Sequence, residues 1–427
     1  MTKEDKKGKK RRKINKEESS KRLQCGFFLV KKNRKCAMQR KEGNQFCSEH
    51  MIFDKEERKR IPCPLDPKHT VWKDDLDAHL KKCNAKLKEK EDEWFQRDIN
   101  CSLKNNQNEF NVKEYEDDKV ESSKIHEKYI HLLEGIEFEP LIRNRADHKG
   151  LQAQLSKTQN QKHALQQSSL IGNLKEKRLL DTNCTYIEFG CGKGELSRYV
   201  NLCLIEELKE GKTDHTNHRY GYGFIDRGVN RLKADNRILK DVRESSVEFI
   251  APMIKRTRID IKDLNLDRFL ELLNPHKVVG ISKHLCGAAT DLTLKLVLNS
   301  SLVNQESKNF GGLLIAMCCR HACSYDELLP QSREFLKQKG FRSPASFNVL
   351  RKAASWAVSH KISEGNGNES EAISNDKRKL GLKARRLIDE SRVFAMKQLL
   401  PNFEVDMFLY TDTDVTLENV CLCVRPL

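Results

Sequence analysis

The chain has 427 residues and carries 79 Lys and Arg against 62 Asp and Glu, a formal net charge of +17. That length accommodates two or three domains with at least one large core, and the positive balance favours a polyanionic partner, nucleic acid ahead of a membrane surface. With no stretch of eighteen apolar residues and no apolar signal core behind M-T-K-E-D-K-K-G-K-K, the composition argues against a membrane-spanning or exported protein; a soluble chain of the cytoplasm, the nucleus or both is expected.

Residues 1–22 hold eleven Lys or Arg and four Asp or Glu, too polar for a core, and are expected to form a disordered basic arm. A solubilising tail, a nuclear address in K-K-G-K-K-R-R-K and direct RNA contact are equal alternatives for it. The fifteen cysteines, an odd number, point to thiols and metal sites over a disulfide framework. Cys25, Cys36, Cys47 and His50 are spaced C-x10-C-x10-C-x2-H, the final pair placing two ligands on one turn in a segment with little apolar content (23–53). A second set follows in 58–85: Cys63, His69, His79 and Cys83, spaced C-x5-H-x9-H-x3-C, the last two on one face of the helical stretch D-L-D-A-H-L-K-K-C. Each set supplies four protein ligands, so two structural zinc ions are expected, with no open position for catalysis.

Residues 86–124 start as a charged helix and continue as an Asn-rich linker; 125–183 show helical periodicity and form a helical lead-in packed on the edge of the next domain. From 184 to 427 short apolar runs alternate with helical stretches. Thr185–Phe189, Tyr220–Asp226, Arg256–Ile261, Lys277–Lys283 and Gly311–Met317 give five parallel strands with right-handed crossovers. Residues 362–379 have the composition of a mobile insertion, an amphipathic helix covers Leu380–Leu400, and Phe403–Tyr410 with Leu417–Val424 add a hairpin, for seven strands in an α/β Rossmann-like domain.

The functional signal is the stretch T-Y-I-E-F-G-C-G-K-G-E-L-S. Gly190, Gly192 and Gly194 allow positive φ and bring backbone close to a ligand at a helix start. Glu188, two residues before the first glycine, sits badly with an anionic pyrophosphate and suits the sulfonium and amino group of S-adenosylmethionine, so a methyl-donor loop is expected instead of a dinucleotide loop. Ligands bind outside the carboxyl ends of parallel strands. There Asp226 is placed to accept ribose hydroxyls, and Asp260, with Asp263 as the alternative, to meet the adenine amino group.

Methyl transfer to a hydroxyl requires in-line alignment and removal of a proton. Lys283 and His284 after the fourth strand are the nearest candidates, with Arg320 and His321 after the fifth to hold a phosphate or orient the base. A rival reading makes these loops a third metal site, from His284 with Cys286, Cys318 with Cys319, and His321 with Cys323.

The two finger spacings followed by H-A-L-Q-Q-S-S-L, E-F-G-C-G-K-G, S-K-H-L-C-G-A-A-T-D and C-C-R-H-x-C resemble the eukaryotic tRNA 2′-O-methyltransferases that modify the fourth nucleotide of the acceptor stem. The match spans nearly the whole chain; the second finger alone also resembles a module of a minor-spliceosome protein. The resemblance implies S-adenosylmethionine as donor, tRNA as acceptor and a Rossmann-like catalytic domain. It leaves the proton acceptor open, because the Lys-Asp-Lys-Glu set of many ribose methyltransferases has no clear counterpart here. The competing expectations are an RNA-binding or splicing adaptor on a non-catalytic scaffold, and a methyltransferase acting on a base or a protein.

Overall fold

The computed structural model describes residues 23–30, 33–53, 60–83, 92–104, 122–157, 161–211, 220–230, 233–245, 251–304, 309–358 and 368–427, with backbone alone at 66–68, 122 and 368–374. The basic arm and most of the Asn-rich linker lie outside them. The chain divides into two compact units, Met1–Lys90 and Glu91–Leu427.

The first unit is built on two small antiparallel pairs, β1 (Phe28–Leu29) with β2 (Arg34–Lys35) and β3 (Arg60–Cys63) with β4 (Asp66–Trp72), followed by α1 (Leu76–Lys82). Its first pair has almost no apolar interior. The buried cluster there is Cys25, Cys36 and Cys47 themselves, flanked by Phe27, Leu29 and Phe46, and Phe27 stacks on His50 at 4.1 Å. Such a segment lacks the apolar area to fold unaided, which makes a metal ion part of its stability.

In the second unit α2 (Ser122–Glu134), α3 (Gln152–Lys157) and α4 (Gln161–Glu176) precede a run of alternating elements. These are β5 (Cys184–Phe189), α5 (Glu195–Lys209), β6 (Gly221–Asp226), α6 (Asp235–Glu244), β7 (Met253–Arg258), α7 (Leu266–Glu271), β8 (Lys277–Cys286), α8 (Ala288–Asn299) and β9 (Phe310–Cys318). Then come α9 (Pro330–Gln338), α10 (Pro344–Trp356), α11 (Asn368–Leu399), β10 (Phe403–Leu409) and β11 (Val420–Pro426). The seven strands form one sheet in the order β10-β11-β9-β8-β5-β6-β7. β5 to β9 pair in parallel, and β11 runs antiparallel to both β9 and β10. The expected fold class, a seven-stranded Rossmann-like sheet behind two finger modules, is borne out.

Side chains alternate along β5: Ile187 and Phe189 join the cluster with α7, α8 and α11, while Tyr186 joins the cluster with α4 and α5. Helices therefore cover both faces, as a parallel sheet requires. From β5 the chain moves outward to β6 and β7, then returns to lay β8 on the other side of β5. That reversal opens a crevice at the carboxyl ends of β5, β6 and β8.

Four expectations are corrected. β7 starts three residues before the expected strand and ends at Arg258, so Asp260 follows it as the cap of a short 3-10 turn, 261–263. Residues 92–95 are not helical: Trp94 is buried and donates its indole N–H to Thr257 Oγ1 at 2.8 Å, binding this segment to the second unit. α4 lies within the domain and not on its edge, packing on the face of the sheet through Leu170, Ile171 and Leu174. Of residues 362–379, expected as a mobile insertion, 362–367 lie outside the described residues and 368–379 are the first turns of α11. A polar run without Gly or Pro extends an existing helix at little cost, because nucleation is already met by the apolar turns that follow.

Candidate active site and metal centres

The two finger ligand sets are each brought together as expected. Ligand atoms of Cys25, Cys36, Cys47 and His50 lie within 4.8 Å of one another, and so do those of Cys63, His69, His79 and Cys83. Within them Cys47 Sγ is 3.3 Å from His50 Nδ1, Cys63 Sγ is 3.7 Å from Cys83 Sγ, and His79 Nε2 is 3.2 Å from Cys63 Sγ. Ligands about 2.0 to 2.3 Å from a tetrahedral zinc stand roughly 3.3 to 3.8 Å apart, so both donor sets fit that ion.

The glycine loop is held from below. Gly190, Gly192 and Gly194 all have positive φ, at 62°, 51° and 80°. Gly192 has open space where a side chain would stand, whereas a Cβ on Gly194 would meet the Phe224 ring at 2.7 Å. Arg256, which the sequence did not mark, clamps the loop. Its guanidinium donates to Gly192 O at 3.0 Å and Lys193 O at 3.3 Å, is paired with Asp235 at 2.7 Å and lies over the Phe224 ring. Asp226 Oδ2 accepts the Gly192 N–H at 2.7 Å and Oδ1 accepts the Gly228 N–H, which fixes the carboxylate at the tip of β6.

A cavity of about 480 Å³ opens beside this loop. Gly190, Asp226 and Asp260 line it, joined by Arg227, His284 and Cys286. Its size is that of a small-molecule site, and two carboxylates beside a bare backbone fit a ligand with ribose hydroxyls and an amino-bearing ring. Asp260 caps the turn after β7, accepting the Lys262 N–H at 3.2 Å, and Arg227 approaches it to 3.9 Å. Asp263, the alternative, turns away: its carboxylate accepts the Asp98 N–H at 2.8 Å.

Glu188 does not line the cavity. It is 4% exposed and accepts both the N–H and the hydroxyl of Ser197, at 3.0 and 2.5 Å, so it caps one of the free N–H groups at the start of α5 from the neighbouring strand. Burial pushes its carboxyl up to about 7 against these hydrogen bonds.

Lys283 and His284 lie at a break in the β8 ladder. Ser282 pairs with Ile315 and Leu285 with Met317, so β8 carries one extra residue there. A bulge re-aims side chains that a regular strand would send to alternate faces. Lys283 Nζ is 3.3 Å from His163 Nδ1, and the rings of His163 and His284 meet edge to face. Burial holds the Lys283 ammonium below its usual range, against Glu195 and Glu188. Burial, then Lys283 and His163, lower the His284 imidazole to about 4. His163 and Glu195 thus belong to this group although no sequence spacing links them to it; Gln167 reaches Glu195 from α4 at 3.2 Å.

Two expectations after β9 are corrected. Arg320 is fully buried, paired with Asp389 at 2.6 Å and Glu418 at 2.6 Å and donating to Met317 O, so it cannot reach a substrate phosphate. His321 is exposed but absent from the cavity lining, where its neighbour Ala322 stands. The mixed His/Cys metal set does not form either. Cys323 is buried against Arg392 Nη2 at 3.0 Å, while Cys286, Cys318 and Cys319 come together without a histidine.

Family comparison agrees with this architecture. The model described as "Methyltransferase TRM13" matches residues 165–425, "CCCH zinc finger in TRM13 protein" matches 23–51, and "U11-48K-like CHHC zinc finger" matches 60–84. A "tRNA:m(4)X modification enzyme TRM13" of Scheffersomyces stipitis is 55% identical over 416 residues, 93% of this chain and 99% of its own. Those of Debaryomyces hansenii and Saccharomyces cerevisiae are 53% and 34% identical, covering 98% and 95% of this chain and 96% of each relative. With its sheet, its glycine loop and both finger sets in place, the chain belongs to the TRM13 methyltransferase family.

Proposed function

We propose that this chain methylates the ribose 2′-hydroxyl of the fourth nucleotide in the acceptor stem of tRNA, working in the cytoplasm, the nucleus or both. S-adenosylmethionine supplies an electrophilic methyl group on a sulfonium, which is a good leaving group. The observation that carries the reading is that His284 lines the same cavity as Gly190, Asp226 and Asp260. One pocket then holds donor-binding carboxylates and a group able to accept a proton. The names of the relatives, each a "tRNA:m(4)X modification enzyme", support tRNA as the acceptor.

In this assignment Gly190 and Gly192 give the donor close backbone approach and Asp226 accepts its ribose hydroxyls. Asp260 accepts from the adenine amino group, and Gly194 and Glu188 act from behind by shaping the turn and the start of α5. Lys283 and His284 face the incoming hydroxyl. His284 offers a ring nitrogen for its proton, and Lys283, tied to His163, orients that group and balances the negative charge developing on oxygen. The fingers and the excess of positive charge grip the tRNA backbone, a salt-dependent contact that positions without reading sequence.

Incubating the full chain with methyl-labelled donor and total tRNA, then digesting with nucleases, tests the assignment. Label in a 2′-O-methylated nucleotide at position four is expected. Label in a methylated base or in protein would replace the ribose reading, and a chain that binds tRNA but no donor would be an adaptor.

A further inference from the structure

We propose that Cys286, Cys318 and Cys319 form a third metal site, a three-thiolate seat for a thiophilic divalent ion such as zinc, at the wall of the donor cavity. All three Sγ atoms lie within 4.8 Å of one another. Sulfur chemistry selects the ion: thiolates favour zinc and related soft metals over magnesium or calcium.

The fold assembles this group by a specific route. Cys286 and Cys318 are register partners at the ends of the adjacent parallel strands β8 and β9, so their side chains stand side by side. Cys319 comes next in sequence and on a regular strand would point to the opposite face. It does not, because its backbone is left-handed, φ 48° and ψ 47°, and this turns its thiol back toward the other two. A residue with a side chain adopts that conformation only at a cost, and strain of this kind persists where the surroundings impose it.

Here the surroundings do. The Cys319 N–H donates to Glu418 Oε1 at 3.3 Å, and Glu418 is itself fixed by Arg320 and Arg385. Across the gap Gly287, at φ 57°, lets Ala322 approach so closely that a Cβ at 287 would lie 2.4 Å from Ala322 O. Both cysteine-bearing segments are thus pinned to one another, as supporting contacts orient the ligands of a metal.

Three thiolates leave a fourth position open, the arrangement of a site that takes water or a substrate oxygen. Cys286 is exposed and lines the cavity that also holds Gly190 and Asp226, so that position is reachable from the pocket. Cys286 Sγ and Cys318 Sγ stand 2.9 Å apart, against roughly 3.7 Å for two thiolates on a tetrahedral ion with 2.3 Å bonds. Seating the ion parts them by less than about one ångström.

The test is metal content of the full chain purified under reducing conditions without chelator. Three zinc ions per chain are expected, falling to two in Cys286→Ser and in Cys286→Ser/Cys319→Ser, with both finger sets intact. Cadmium substitution should give a thiolate-to-metal absorption that loses about three eighths of its strength in the same variants, since three of the eight ligating thiolates belong to this site. The single variant alters an exposed side chain and keeps the test open if the double variant fails to fold. Two zinc ions in the wild type, equal zinc in wild type and Cys286→Ser, or a Cys286–Cys318 disulfide found by peptide mapping of the purified protein would each overturn the site. Donor affinity measured on the same samples separates this outcome from failure of the donor assignment.

Discussion

Glu188 is a carboxylate whose burial and neighbours pull in opposite directions, and the balance gives a signed prediction. Its folded pKa of about 7 lies above the ordinary 4.5, so the folded state holds a proton that the unfolded chain releases. Its contribution is intact below about pH 4.5 and is lost as pH rises through 7, at most on the order of 3 kcal/mol. Glu188→Gln keeps an acceptor for Ser197 without the charge. Urea midpoints at pH 5 and pH 8 should show the variant gaining on the wild type at the higher pH; a gap independent of pH would mean the carboxyl is not raised. Arg320 is the second residue whose surroundings decide its part. Removing its guanidinium strands Asp389 and Glu418, and Arg320→Ala should cost about 3 to 5 kcal/mol in thermal or chemical unfolding. His284→Ala should slow turnover about a hundredfold with donor and tRNA affinity kept, whereas His321→Ala, outside the cavity, should change it only a few-fold. Equal losses in single-turnover rates would return His321 to the reaction.

At the scale of elements, two devices hold the site, and both come from pairing between segments far apart in sequence. One is the bulge in β8 that sends Lys283 and His284 out of the ladder. The other is the reach of Arg256 from β7 to the glycine loop after β5, where it accounts for two loop carbonyls. Charge-assisted hydrogen bonds of this kind contribute about 1.5 to 3 kcal/mol each. Arg256→Met keeps the stem over Phe224 and removes the donors, so donor binding by titration calorimetry should weaken by roughly ten- to a hundredfold while zinc content is unchanged. Undiminished affinity would show that the loop holds its shape without the clamp.

For the molecule as a whole, the proposed assignment puts RNA grip in the first unit and donor chemistry in the second. Cys47→Ala or His79→Ala should each release one zinc ion and weaken tRNA binding, because each leaves a set with three ligands and a segment without a sufficient core. Donor affinity should persist, since every residue of the donor cavity belongs to the second unit. A variant that kept full tRNA affinity after losing its zinc would remove the fingers from substrate binding. Among the described residues no helix is long and apolar enough to cross a membrane.

The local signals in the sequence determined the seven strands, the glycine turn and both finger ligand sets. Each is written in short-range chemistry: apolar runs, alternate glycines, and cysteine and histidine spacings that one turn can satisfy. Asp226 was legible for the same reason, as the acid ending an apolar run. Tertiary structure alone decided the rest. Arg320 reads as a surface cation until Asp389 and Glu418, 69 and 98 residues later, close around it. His163 joins Lys283 across 120 residues, and Cys286 meets Cys318 only because β8 and β9 pair in one register. Glu188, read as a ligand for a cationic donor, caps α5 instead, since the alternation of β5 turns it toward that helix. Such contacts depend on which segments become neighbours, and burial then sets the charge and freedom of each group, quantities that no local pattern encodes.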